Sequence, residues 1–310
     1  MSAKNDLDEQ LKQARLEQIK KEFPDIKIDD SRLINHGWDH DVIVLNNQEI
    51  FRFPKDNEQQ ESFKRELQFL KYLKDKTTVP IPDYKYVASD QSFGGYPLLK
   101  GEEVFPEKFA LLSVEQKDNV AQQLGEFLTV IHTTPIVEIE RIGYVEKTGG
   151  HFWSREDAEK RFQRIKELVL PKLTEKERGW VEKNCEEYLS FSFNYQKVLL
   201  HSDITAAHLL VDVNQGKLSG VIDFGDVEIG DPALDFAGLF YYYGEDFGQK
   251  VVDYYKGQVD PDMIKRAHYP VRLSAAGHFL EIIEGDHIPL NWEQAHDVLV
   301  KVMKKYGAID

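Results

Sequence analysis

The sequence predicts an α+β protein of two lobes, a small antiparallel-sheet lobe followed by a mainly helical one, with a cleft between them. Three observations carry this expectation. Short runs of β-branched and aromatic residues crowd the stretch from 41 to 97. Beyond Gly101, apolar residues recur mainly at intervals of three and four, the helical period. Two aspartates, Asp203 and Asp223, each close a short apolar run, and they lie twenty residues apart.

Taken in order, residues 5–22 have helical spacing and mixed charge and predict an amphipathic helix. DVIVL and EIFRFP, separated by NNQ, predict an antiparallel hairpin over 41–54. ESFKRELQFLKYLKD places apolar residues at 63, 67, 70 and 73 and predicts a helix. TVPIPDYKYVAS and GYPLLKG supply two further strand candidates, with Pro80 and Pro82 placing the first at an edge or in a turn. NVAQQLGEFLTVIHTTP is a helix ended before Pro135, and SREDAEKRFQRIKELVLPKL is another, opened by Ser154 as N-cap. EKERGWVEKNCEEYLSF is a third, the short strands VLLH, LLVDV and GVIDF follow, and helices return over 232–305. The expected division is therefore 1–97, a hinge at 98–101, and 102–310.

The formal charge of −15 makes nucleic acid an unfavourable partner. Ten carboxylates fall between Asp223 and Asp262 against only Lys250 and Lys256, which suits either a solvated face or a surface for cations. The single cysteine, Cys185, excludes an internal disulfide and a cysteine-based zinc site. No apolar run reaches membrane-spanning length, and the charged start of the chain lacks the apolar core of a signal peptide. A cytoplasmic monomer with no membrane partner is expected.

Asp203 follows KVLLHS and Asp223 follows GVI. Two adjacent strands joined by a hairpin would bring both carboxylates to one end of the pair. Carboxylates converging there suit magnesium and phosphate chemistry, one positioning a hydroxyl nucleophile and the other holding the metal. An aspartate before a turn is common by itself; the pairing of HSD with VIDFG at this separation is far more specific.

HSDITAAH resembles the H-x-D-x-x-x-x-N catalytic loop of eukaryotic-like kinases, and VIDFGD resembles their D-F-G segment. The longer run GVIDFGDVEIGDPALDFAGL resembles the aminoglycoside phosphotransferase family, as do LGEFLTVIHTTP, EIFRFP and ESFKREL. His208 at the asparagine position, with YPLLKGEEV earlier, is similar to the 2″-aminoglycoside kinases and to macrolide kinases. The resemblance implies a protein-kinase-like fold and a small-molecule O-phosphotransferase that uses Mg2+ with ATP or GTP. It makes Asp203 the catalytic carboxylate, Asp223 a magnesium ligand, and His208 either a metal ligand or the holder of a bound water or of Asp203. It gives Arg52 the place of the phosphate-binding lysine, with Glu66 as its ion-pair partner. An arginine keeps the cation but changes its geometry. NHGWDHDVIVL would cover the phosphates, and Leu98, Leu99 and Lys100 would read the purine through backbone groups. His201 and His132 are expected to be structural, Asp231 a helix N-cap, and Asp235 a candidate brace for the catalytic loop.

Aminoglycosides are polycations, which gives the acidic block a use. Glu245, Asp246, Glu281 and Glu284, near aromatic residues in YYYGEDF and HFLEIIEGDH, are the candidate acceptor contacts. A macrolide or a small metabolic alcohol is the alternative acceptor, tyrosines 241–243 being available to an apolar one. A silent nucleotide-binding protein is the alternative outside catalysis, and the retention of Asp203, Asp223 and Arg52 argues against it.

Overall fold

The computed structural model describes residues 2–35, 39–143, 154–285, 288 and 290–309. The chain opens with helix α1 (Ser2–Glu22), then β1 (Ser31–Ile34), β2 (His40–Leu45) and β3 (Glu49–Pro54). Helix α2 (Asn57–Leu73) follows, then β4 (Tyr86–Val87) and β5 (Gly94–Pro97). These strands form one antiparallel sheet in the order β1-β2-β3-β5-β4. The expected hairpin is β2–β3, turned by Asn46 and Asn47 at φ of +53° and +51°, a conformation that asparagine tolerates better than most residues. Strand β1 was not expected, because SRLI is too short and too mixed to declare itself. Helix α1 leans on this sheet through Ile19, fully buried with Ile43, Leu45, Phe51 and Phe53, while Arg15 bonds Asp41 at 2.8 Å.

The helical lobe begins with β6 (Glu102–Glu103), α3 (Pro106–Ala110), α4 (Val114–His132), α5 (Ile136–Arg141), α6 (Arg155–Leu168) and α7 (Glu175–Ser190). Strands β7 (Val198–Leu200), β8 (Leu209–Asp212), β9 (Lys217–Val221) and β10 (Glu228–Gly230) come next. Helices α8 (Ala233–Tyr243), α9 (Glu245–Tyr254), α10 (Met263–Ala267), α11 (Pro270–Glu284) and α12 (Trp292–Lys305) complete it. The helix starts are chemically marked. Ser154 accepts from Asp157 N, as the sequence predicts, and α4, α7 and α12 carry reciprocal capping boxes at Ser113, Thr174 and Asn291. Each such cap contributes about 1 kcal/mol. No helix among the described residues is long and apolar enough to cross a membrane.

One expectation fails. The strands before Asp203 and Asp223 are not hairpin partners: β8 pairs with β9 and β6, and β7 pairs with β10. The connection between β8 and β9 spans only residues 213–216, so that local pairing closes at little entropic cost. The irregular segment 201–208 then leaves β7 to find a partner further along the chain.

Asp231 does serve the start of α8, accepting from Ala233 N at 3.0 Å, but it does more. Arg266, with no exposed surface, forks onto Asp231 (2.6 and 3.0 Å) and onto Asp260 (2.8 and 2.7 Å), and also donates to Ser192 O at 2.7 Å. This buried network ties the start of α8 to α10. The lobes themselves are joined through α2: Phe69, Leu70 and Leu73 belong to the same apolar cluster as Phe127 of α4 and Phe224.

Candidate active site

The segment 201–208 bends back over the end of β7, and its shape is imposed by buried hydrogen bonds. Asp235 of α8, wholly buried, accepts from His201 N at 2.8 Å, Ser202 N at 2.7 Å and His132 Nε2 at 2.9 Å. Asp235 thus braces the loop, and His132, bonded on its other side by Tyr255 Oη at 2.8 Å, orients Asp235. His201 donates from Nε2 to Ile222 O and accepts from Asp203 N at Nδ1, which fixes its tautomer and links the two aspartate-bearing segments. Burial holds its pKa below the ordinary histidine value. Both histidines are structural, as expected. Helix α8 comes this close because Gly238 has no side chain: a Cβ there would sit 1.9 Å from Ile204 O. Ser202 and Asp223 adopt φ of +70° and +67°, left-handed conformations that are costly outside glycine and held by their surroundings.

Asp203 and Asp223 converge on one imidazole. His208 Nδ1 donates to Asp203 O at 2.9 Å and lies 3.1 Å from its Oδ2, while Nε2 lies 3.5 Å from Asp223 Oδ2. Burial works against the charged ring, but the hydrogen bond and charge of Asp203, with Asp223, raise its pKa to about 9. On the far side of Asp223, Arg52 Nη2 donates to Oδ1 at 2.8 Å and Arg52 Nη1 to Glu66 Oε1 at 2.6 Å. Burial would raise the Asp223 pKa, yet Arg52 and His208 outweigh it and hold the carboxyl near 2. Glu66, with no exposed surface, is pushed up to about 7 by burial despite Arg52. Asp203 and Asp223 keep about a third of their side-chain surface exposed and so face the cleft.

His40 was not singled out in the sequence. Its Nδ1 accepts from Arg52 Nη2 at 3.2 Å, and burial together with Arg52 lowers its pKa to about 3. The hairpin register holds the missing signal: Arg52 faces Val42 across the strands, so His40 lies diagonal to it on the same face. Tyr84, whose hydroxyl is 3.4 Å from both Arg52 Nη1 and Glu66 Oε1, lies in an irregular stretch and gave no such signal.

A cavity of about 590 Å³ opens between the lobes beside this cluster. Ile50 and Tyr96 of the sheet face Leu210 and Ile222 of the helical lobe across it, a slot suited to a planar base. Leu98 and Leu99 line it and Lys100 does not; the Leu98 amide is committed to Gln48 O at 2.7 Å. Gly101 turns the chain at φ +114°, and a Cβ there would fall 2.1 Å from Ser219 Oγ. Of the stretch NHGWDHDVIVL, residues 36–38 lie outside the described residues, and 40–45 form β2.

Among the described residues no group of three or more histidine, cysteine, aspartate or glutamate side chains forms a ready metal cage. The cleft-facing carboxylate of Asp223 fits a hard cation such as Mg2+ instead, since that ion keeps waters and nucleotide phosphates as most of its ligands.

The four candidate acceptor contacts separate into two kinds. Glu245 and Asp246 are exposed at the start of α9. Glu281 bonds Arg161 at 2.6 Å, and Glu284 bonds Arg164, so both tie α11 to α6. Tyr242 packs edge-on to Phe105, and burial together with the charge of Asp203 raises its pKa.

Comparison with known proteins bears on the family and the fold. A family model described as the phosphotransferase enzyme family matches residues 30–269. The GDP and kanamycin complex of the aminoglycoside phosphotransferase APH(2″)-IIIa superposes with a TM-score of 0.83 at 26% identity, covering 95% of this chain and 98% of that one. Macrolide 2′-phosphotransferase type I, at 19% identity, shares the fold with a TM-score of 0.71 over 93% of this chain and 96% of its own. An uncharacterised protein of Bacillus subtilis, YcbJ, is 23% identical over 290 residues, which are 86% of this chain and 89% of that protein. The family match runs from the first strand of the sheet through the segments bearing Asp203 and Asp223 into the C-terminal helices, and the chain belongs to the phosphotransferase enzyme family.

Proposed function

We propose that this phosphotransferase moves the γ-phosphoryl group of ATP or GTP to a hydroxyl of a small, cationic, aminoglycoside-like acceptor. The observation that carries the reading is the convergence of Asp203 and Asp223, which follow different strands, on the two nitrogens of His208, with Arg52 on the other side of Asp223. In this reading Asp203 is the catalytic carboxylate: it orients the acceptor hydroxyl and accepts its proton. Asp223 would hold Mg2+, and the bound ion would supply charge neutralisation for the transferring group. His208 spends Nδ1 on Asp203, so Nε2 is the nitrogen left on the metal side. Arg52, held by Glu66 and Asp223, presents a fixed cation to the phosphates. Leu98 and Leu99, which line the cavity between the lobes, receive the purine. Positioning and charge stabilisation supply the rate, with no covalent intermediate.

The acidic charge of the chain and the exposed Asp246 support a cationic acceptor, with Glu281 and Glu284 at the junction of α6 and α11 as further contacts. A second reading, an apolar macrolide-like acceptor, has its own support: Glu281 and Glu284 are already paired with arginines, and Tyr242 with Phe105 forms an aromatic wall near Asp203. Nucleotide consumption measured with Mg2+, using ATP and GTP separately against aminoglycosides, macrolides and small alcohols, tests both. Turnover with an aminoglycoside supports the first reading, and turnover confined to macrolides the second. Nucleotide binding with no turnover on any acceptor counts against both. We place the enzyme in the cytoplasm as a monomer with neither membrane nor nucleic acid as partner.

A further inference from the structure

A second cavity, of about 380 Å³, lies in the helical lobe and has the opposite electrical character to the chain as a whole. Lys265, Arg272 and Lys305 line it against a single lining carboxylate, Glu245, in a protein of net charge −15. Its walls are aromatic, with Phe240, Tyr269 and Tyr306 among them.

The cations are unevenly used. Lys265 pairs with Asp262 at 2.8 Å, and Glu245 lies 3.3 Å from His268 Nε2. Arg272 has no carboxylate partner among the described residues. Its Nη1 makes a 3.3 Å bond to Asn184 Oδ1, the guanidinium also reaches the Tyr269 hydroxyl, and its buried Nε has no hydrogen-bond partner. The guanidinium is nevertheless held firmly, 3.9 Å from the Tyr306 ring centroid and 4.7 Å from that of Tyr269. A planar cation fixed by rings, with no carboxylate to neutralise it and part of its donor set free, is prepared to take an anion. Lys305 likewise has no carboxylate partner among the described residues and rests over Tyr241 at 4.7 Å. The nearby carboxylate Glu187 is occupied by Tyr269 Oη at 2.9 Å.

This cavity is not the phosphotransfer cleft. Phe240 and Tyr242 are two residues apart on α8 and so point about 200° apart around it. Tyr242 lies on the side of Asp203, and Phe240 faces the second cavity.

We propose that this cavity binds a small anion, a carboxylate or a phosphate monoester carried on an aromatic or apolar body, with Arg272 as the anchor and Tyr306, Tyr269 and Phe240 against the body. The volume suits a compact metabolite. Glu245, read from the sequence as a contact for a cationic acceptor, borders this anion site instead.

Ligand-observed NMR and calorimetric titration of the full chain with phenyl phosphate, benzoate and inorganic phosphate test the proposal. The expected result is saturable binding of at least one aromatic anion, tighter than inorganic phosphate, weakened about tenfold or more by Arg272→Gln. Preference for phenyl phosphate assigns a phosphate head group, and preference for benzoate a carboxylate. Lys305→Gln, at an exposed position, is the second variant should Arg272→Gln fail to fold by circular dichroism, and it weakens binding in the same sense. The proposal is overturned if neither aromatic anion binds, or if binding is unchanged in the folded variants.

Discussion

Replacing Asp235 by asparagine tests whether the loop bearing Asp203 is held in place from behind. In the native protein Oδ2 accepts from His201 N and His132 Nε2, and Oδ1 accepts from Ser202 N. Asparagine has one acceptor oxygen and one amino group. With the amino group toward His132, that ring can change tautomer and accept, because Tyr255 Oη can reverse its own role on Nδ1. His201 N then faces an NH2 and loses its acceptor. With the amide reversed, Ser202 N is the one orphaned. Either way one buried backbone N–H goes unpaired, at about 1–3 kcal/mol, and the remaining bonds lose their ionic partner. The expected loss of stability is about 2–4 kcal/mol, a fall in Tm of about 5–10 °C. Ser202 is at φ +70° and is kept there by the bond that is lost or weakened, so the loop relaxes and Asp203 moves with it. A displacement near 1 Å costs about a hundredfold in turnover. The cavity between the lobes, proposed above for the nucleotide and lined by Ile50, Tyr96, Leu210 and Ile222 among others, is not touched by this change. Steady-state kinetics should therefore show kcat falling about a hundredfold with the nucleotide KM little changed, alongside the lower Tm. A folded Asp235→Asn enzyme with native kcat would refute the bracing role, and equal losses in kcat and nucleotide affinity would point to general unfolding instead.

Asp203→Ala should abolish transfer in the nucleotide-consumption assay while nucleotide binding by calorimetry persists; unchanged turnover would sink the assignment of Asp203 as the catalytic carboxylate. Arg52→Lys keeps the charge but cannot hold Glu66 and Asp223 together through one planar fork, so the nucleotide KM should rise about tenfold; native KM and kcat would show that the fork is dispensable. Arg266→Leu leaves Asp231 and Asp260 buried without their cation and should lower stability by about 3–5 kcal/mol in denaturant titrations, a loss below about 1 kcal/mol being the contrary result. Burial works to raise the pKa of Glu281, but the hydrogen bond from His278 and the charge of Arg161 bring it down to about 2. A depressed carboxylate stabilises the fold above its unfolded pKa near 4.5, and that contribution disappears as the pH falls through 2. Glu281→Gln should accordingly be less stable than the native chain at pH 7, with the gap narrowing between pH 4.5 and 2; an identical gap at pH 7 and pH 3 would contradict this.

What the sequence discloses follows the range of the interaction concerned. The β2–β3 hairpin, α2, the helix ending before Pro135 and the Ser154 cap are local arrangements, set by alternation, helical period and a side chain bonding its own neighbours, and the structure contains them. The aspartates at 203 and 223 are legible because each ends an apolar run within one short motif. The partner of β7 is not legible, since nothing local distinguishes β9 from β10, and the short connection from β8 to β9 decides the pairing. Charge is hidden in the same way. Glu281 and Glu284 sit in an acidic, aromatic segment, yet the arginines that neutralise them lie 120 residues earlier on α6. Asp231 looks like an ordinary cap because its main partner, Arg266, lies 35 residues downstream.

The same limit bears on specificity. In the proposed reaction the cluster uses residues whose identities are restrictive wherever they stand: a carboxylate for a proton, a carboxylate for a hard cation, a fixed arginine for phosphate. Acceptor recognition uses residues whose identities are permissive. A glutamate on α11 can meet a substrate ammonium or an arginine of α6, and a tyrosine on α8 can stack on a sugar or fill the core. In this chain Arg161 and Arg164 already compete for the α11 carboxylates, so any cationic acceptor must either displace a guanidinium or find its charges elsewhere. Neutralising those arginines separates the two cases. With Arg161→Gln, a cationic acceptor that uses Glu281 should show a KM lowered about tenfold, because the carboxylate is released to it. An acceptor held by Tyr242 and Phe105 should show no change, and that outcome would move the acceptor assignment from charge to aromatic surface.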